Sequence, residues 1–99
     1  MKLRIQAINF DATSTLEAHV TKKTAKLEKV FDEIINIEVY MKVVKPEIAE
    51  NKEAEIKVTI PNGEFFASKT CDSFEEAIDL SVEAIEKQIH KFKEKASSK

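Results

Sequence analysis

The sequence predicts an α+β fold of order β-α-β-β-β-α, a four-stranded mixed sheet with two long helices packed on one face. Three observations carry this expectation. Four runs alternate apolar and polar residues, two longer runs repeat apolar residues at helical spacing, and an Asn-Gly pair separates the third and fourth alternating runs.

In the first run Leu3, Ile5 and Ala7 oppose Lys2, Arg4 and Gln6, a strand over 2–8 with one buried face. Thr13 or Ser14 then offers an N-cap, and Ser14 with Glu17 has the spacing of a capping box. Leu16, Val20, Leu27, Phe31 and Ile34 follow at helical intervals with Thr24 filling the gap, an amphipathic helix of about five turns. Ile37, Val39, Met41 and Val43 make the second strand. The polar stretch from Pro46 to Lys52 reads as a loop, because proline cannot donate to a ladder. Ala54, Ile56, Val58 and Ile60 make the third strand. Pro61-Asn62-Gly63-Glu64 is expected to turn about Asn62-Gly63, where both residues tolerate positive φ. A fourth strand runs through Phe65, Ala67 and Ser68 to near Cys71. Ser73 and Glu76 form a second capping box, followed by the stripe Phe74, Ala77, Ile78, Val82, Ile85, Ile89 and Phe92. The first crossover is expected to be right-handed between parallel strands, with the later strands following as antiparallel hairpins.

Composition narrows the function classes. At 99 residues and 42% hydrophobic content the chain suits one compact domain, expected over 1–95 with 96–99 as a polar tail. One glycine is too few for a dinucleotide fingerprint or P-loop, and one cysteine excludes a disulfide framework or a cysteine-based zinc site. No cofactor and no metal are expected, and neither His19 nor His90 has a ligand-motif spacing. No apolar run approaches the roughly 20 residues that span a bilayer, and Met1-Lys2-Leu3-Arg4-Ile5-Gln6 does not read as a signal peptide. A cytoplasmic protein without a membrane partner is the expectation.

Net charge is −2, yet it is unevenly spread. Residues 87–99 carry five lysines (87, 91, 93, 95 and 99) against Glu94 alone, a balance of 5 − 1 = +4. A second cluster, Lys22, Lys23, Lys26 and Lys29, lies in the first helix. Lys22, Lys26 and Lys29 share one helical edge, and Lys87, Lys91 and Lys95 share another. The first half of the second helix is acidic: Glu75, Glu76, Asp79, Glu83 and Glu86. That polarity also suits the helix dipole, at ~0.3–1 kcal/mol per charge, so a purely structural explanation is available beside the functional one. Whether the two clusters merge depends on how the helices cross, which sequence leaves open.

The order and spacing of several short stretches resemble the ribosome hibernation promoting factor family, including the cold-shock ribosome-associated inhibitor, in its short single-domain form. These are Thr13, Leu16, Val20 and Ala25-Lys26-Leu27-Glu28-Lys29 in the first helix, and Ala54-Glu55-Ile56, Gly63-Glu64 and Ala67-Ser68 in the hairpin. Ala77-Ile78-Asp79 and Lys87-Gln88-Ile89 with Lys91, Lys93 and Lys95 complete the pattern in the second helix. The resemblance implies the same fold and a protein that binds the small ribosomal subunit, rRNA and ribosomal proteins together, between head and body. There it would cover ground used by mRNA and tRNA, stopping translation and preserving idle ribosomes under stress.

It also implies that Lys23, Lys26, Lys87, Lys91, Lys93 and Lys95 face rRNA, to which the charge clusters add Lys22 and Lys29. Relatives often carry Asp-Met-Tyr where this chain has Ser73-Phe74-Glu75, lysine where it has Ala84, and arginine where it has Lys87. Lysine keeps the charge and loses the bidentate fork. The long family form has a C-terminal dimerisation domain, so this chain is expected to be a monomer when free and not to pair ribosomes unaided. A second hibernation factor is then an open partner.

Other classes rank lower. A general double-stranded RNA-binding module would carry its lysines at the start of the final helix, which is acidic here. A protein-interaction domain would use the outer sheet face, where Arg4, Glu38, Lys42, Glu55 and Lys57 mix charges. An enzyme is not expected. Cys71 sits before a helix N-terminus but reads as a small semi-buried hydrophobe, Phe92 reads as core by its spacing from Ile85 and Ile89, and Tyr40 reads as a cross-strand partner.

Overall fold

The computed structural model of the chain describes residues 2–45 and 50–97. Its elements are β1 (Lys2–Ile8), α1 (Ser14–Val30), β2 (Asn36–Val43), β3 (Lys52–Ile60), β4 (Gly63–Cys71) and α2 (Phe74–Ser97). The strands form one sheet in chain order, β1 parallel to β2 and the rest antiparallel. The expected loop residues Pro46 to 49 lie outside the described residues. The helix α2 runs through Ser97, into the stretch expected as a tail, and 98–99 are not described.

Period-two patterning becomes cross-strand rows on the helix-covered face. Leu3, Ile37, Val58 and Phe65 lie side by side in register, as do Ile5, Val39, Ile56 and Ala67. Onto these rows α1 lays Leu16, Val20 and Leu27, and α2 lays Ala77, Ile78, Val82, Ile85 and Ile89, all in one buried cluster. Burying a side chain of this size contributes ~1.5–3 kcal/mol, so this face accounts for the helices' attachment. Thr24 is fully buried among them because its hydroxyl donates back to the Val20 carbonyl at 2.8 Å. Ser81, also fully buried, donates its hydroxyl to the Ala54 carbonyl of β3 at 3.5 Å.

Local signals set the helix starts. Thr13, not Ser14, caps α1: its Oγ1 accepts from the Leu16 N–H at 3.1 Å. Ser73 Oγ accepts from the Glu76 N–H at 3.2 Å, the first half of the expected capping box. Phe10, just past β1, stacks on Phe74 at 4.6 Å between ring centroids and ties the start of α2 to the β1 end. At its other end α1 stops at Val30; Phe31 and Ile34 lie beyond it and are still buried.

The hairpin turn is displaced by one residue from the sequence expectation. Ile60 pairs with Gly63, so the loop residues are Pro61 and Asn62. Asn62 takes the left-handed conformation at φ 68°, and Gly63 does not. Proline's fixed φ suits the first corner and asparagine tolerates the second, the combination of a type II turn. A Cβ at Gly63 would meet only Ile60, at an ordinary 3.9 Å, so the turn does not depend on the single glycine.

The exposed edge of the sheet at β4 is covered by a side chain. Gln88 Nε2 donates to the Phe66 carbonyl at 2.7 Å, and Gln88 Oε1 accepts the Phe66 N–H at 3.2 Å. Both outward-pointing backbone groups of that residue are thereby satisfied, which blunts an edge that could otherwise template strand addition.

Candidate nucleic-acid interface

Two contacts between residues about sixty apart in sequence orient the helices. Toward their N-terminal halves, His19 Nε2 lies 2.8 Å from Asp79 Oδ1 and donates to it, since an ionised carboxylate only accepts. At the far end, Lys93 Nζ donates to the Val30 carbonyl at 2.5 Å. Chain numbers therefore rise together along both helices, from 19 to 30 beside 79 to 93, and α1 and α2 run in the same direction. The crossing that sequence left open is thus decided. The lysine-rich ends of α1 and α2 lie at the same end of the helical layer, and the acidic half of α2 lies at the other.

The eight candidate lysines differ in surroundings, and Lys22 and Lys23 lie level with Asp79, short of that end. Lys22, Lys26, Lys29, Lys87 and Lys91 are exposed and have no ion-pair partner among the described residues. Lys95 is exposed on the same side of α2 as Lys91. Lys23 is half-buried and its Nζ lies 3.6 Å from Asp79 Oδ1, so part of its charge is answered within the protein. A pair this exposed is worth at most about 1 kcal/mol. Lys93 is exposed but its ammonium caps one of the orphan carbonyls at the end of α1, where the helix dipole is negative. Asp79 and its contact to His19 were not foreseen: a histidine and an aspartate far apart in sequence leave no local signal.

Three aromatic rings close the core beneath this end. Phe31, Phe65 and Phe92 meet edge to face, with centroids 6.1, 5.8 and 5.6 Å apart. Phe92 is nevertheless 44% exposed, so the expectation of a core residue holds for only part of the ring. The reason is the length of α2, about 36 Å at 1.5 Å per residue against about 26 Å for α1. Residues 91–95 are all exposed.

The remaining candidates are structural. Cys71 is buried, and that burial, reinforced by Glu76, Glu50 and Asp72, raises its thiol pKa above the usual value. This is the opposite of an activated nucleophile. Tyr40 is half-buried on the outer sheet face between Gln6 and Glu55, its partners in register. Phe66 shares that face, 48% exposed, an apolar feature absent from the charge-based reading of the sheet. Among the described residues, no helix is long and apolar enough to cross a membrane.

Comparison with known proteins gives a consistent result. The family described as sigma 54 modulation protein / S30EA ribosomal protein matches residues 3–97. The chain is 33% identical to the ribosome hibernation promoting factor of Pseudomonas putida over 98 residues, covering 99% of this chain and 92% of that protein. It is 35% identical to the factor of the same name from Escherichia coli K12, covering 96% of each. The ribosome hibernation promotion factor of Bacillus subtilis is 31% identical over the whole of this chain, which spans 52% of that longer protein. Among solved structures, the fold matches a ribosomal subunit interface protein from Coxiella burnetii with a TM-score of 0.84 at 24% identity, covering 94% of this chain and 98% of that one. It matches the N-terminal domain of Protein Y from Thermus thermophilus with a TM-score of 0.80 at 26% identity, covering 93% and 99%. With the family pattern running the length of the described fold, this chain belongs to the sigma 54 modulation protein / S30EA ribosomal protein family.

Proposed function

We propose that this protein is a ribosome hibernation factor that binds the small ribosomal subunit in the channel used by mRNA and tRNA, blocking translation and preserving idle ribosomes. The single observation that carries the reading is the parallel run of α1 and α2, which brings Lys26 and Lys29 to the same end as Lys87, Lys91 and Lys95 on a chain of net charge −2. The names of the relatives from P. putida and E. coli support the same role.

Lys22, Lys26, Lys29, Lys87 and Lys91 are the principal phosphate contacts in this reading, with Lys95 beside them, and Lys23 and Lys93 contribute less because Asp79 and the Val30 carbonyl already engage them. Lysines meet phosphates as point charges, so they supply affinity and salt dependence with little base preference. Selection then comes from the fit of the basic end to an RNA-lined channel, and no chemical step is required of any residue.

Cosedimentation with intact ribosomes and with isolated small subunits, through a sucrose cushion over a salt series, tests this. Near-stoichiometric pelleting with small subunits that fades with salt is the expected result, together with competition by mRNA and tRNA. Absence of pelleting at low salt overturns it, and preference for naked duplex RNA replaces it with a general double-stranded RNA-binding module.

A further inference from the structure

We propose that Phe92 is a stacking platform for an unpaired RNA base, held ready beside Lys91 and Lys95. The inference rests on the reading of the basic end as an RNA surface and adds a contact that charge alone does not supply.

The ring is exposed and fixed at once. Its centroid lies 5.8 Å from that of Phe31 and 5.6 Å from that of Phe65, at interplanar angles of 76° and 84°. Two edge-to-face partners leave the ring little freedom, yet 44% of the residue stays open to solvent. An aromatic group already immobilised in the free protein loses little entropy when a ligand settles on it.

Its surroundings select the ligand. Gln88, Lys91, Phe92, Glu94 and Lys95 line a shallow concavity of about 540 Å³ on one side of α2. Gln88 is already engaged by the Phe66 backbone, which keeps that wall in place. Lys91 and Lys95 flank the ring one turn apart, in a segment with a local balance of 5 − 1 = +4. Cations beside an exposed aromatic suit a nucleotide, whose phosphate meets the ammonium groups while its base lies on the ring. An apolar protein segment would gain the ring and gain nothing from the lysines around it.

The chain contains no tryptophan, which makes Phe92→Trp a unique fluorescent reporter at the site. The test compares the unaltered chain, Phe92→Leu and Phe92→Trp for cosedimentation with small ribosomal subunits over a salt series. Leucine keeps apolar volume against Phe31 and Phe65 and removes the π-face. Phe92→Leu is expected to weaken binding at least about fivefold, the lower end of one lost base stack, with the slope of affinity against salt unchanged because no phosphate contact is lost. Phe92→Trp is expected to bind as the unaltered chain does, with its emission quenched when subunits are added. Phe92→Leu binding as tightly as the unaltered chain overturns the proposal and leaves Phe92 as a closure of the core. Tryptophan emission that shifts to the blue without quenching also overturns it, assigning the ring to a ribosomal protein. If the unaltered chain does not pellet, the hibernation reading falls and this inference falls with it; loss in Phe92→Leu alone touches only the stack.

Discussion

The two ends of the helical layer are built from the same kinds of side chain and have opposite character. At the N-terminal end, Asp79 draws in both His19 and Lys23, and the acidic turns of α2 surround them. At the C-terminal end, Lys26, Lys29, Lys87 and Lys91 stand without ion-pair partners among the described residues. Lys23 and Lys26 are neighbours on one helix, yet only the first is answered by a carboxylate. A count of lysines along the chain therefore overstates the charge available to a partner. What matters is which lysines the neighbouring helix leaves unanswered.

The strongest way to break this comparison is to reverse charge at the basic end. Lys87→Glu with Lys91→Glu replaces two cations by two anions on one helical line and is expected to weaken ribosome pelleting ~10-fold or more at moderate salt. Unchanged affinity in the double variant places the RNA surface elsewhere. The fold should survive, because both side chains are exposed and unpaired, and a thermal melt close to that of the unaltered chain checks this.

A comparison within the basic end is sharper. Lys91→Ala is expected to lower affinity and flatten the salt slope by about one unit, the signature of one lost phosphate contact. Lys93→Ala removes a donor to the Val30 carbonyl, so its effect should fall on stability instead, ~0.3–1 kcal/mol for a cation at a helix C-terminus. Equal slopes for the two variants would show that Lys93 also reaches phosphate.

Asp79→Asn probes the opposite end. It removes the carboxylate that holds His19 and Lys23 and is expected to cost at most about 1 kcal/mol of stability, as for other exposed pairs. If Lys23 is restrained by this pair, the variant should bind ribosomes slightly more tightly and with a steeper salt dependence. Weaker binding would mean that the His19–Asp79 contact positions α1 for its partner.

The smallest effect concerns Cys71, remote in role from both ends. Burial raises its thiol pKa, so the folded state favours the neutral thiol. The stabilisation this gives is fully present below the ordinary thiol pKa of about 8.5, and it is lost as pH rises through the higher folded value. Cys71→Ala should therefore lose less stability on moving from neutral to alkaline pH than the unaltered chain does. Native protein should react slowly with iodoacetamide; labelling as fast as in denaturant would show that the site opens.

Much of this was legible in the sequence, and particular residues show where legibility stopped. The alternation at Ile37, Val39 and Met41 and the stripe from Ala77 to Ile89 encode burial directly, because each repeats at the period of its own element. All four strands and both helices follow from such patterns. The hairpin turn sits one residue earlier than the Asn-Gly pair predicts because Pro61 takes the first corner and moves Asn62 to the second, and a dipeptide rule does not weigh a residue outside the pair. The lysine clusters were visible as clusters, but their union was not.

Local periodicity by itself determined the element order, the core and the acidic and basic halves of α2. Only the tertiary structure decided that Asp79 answers Lys23, that Lys93 caps α1, and that Phe92 emerges from the core it helps to close. The physical reason is range. An amphipathic pattern is written within a few turns of one helix, whereas each of these contacts joins side chains on different elements, at distances set by how whole surfaces pack.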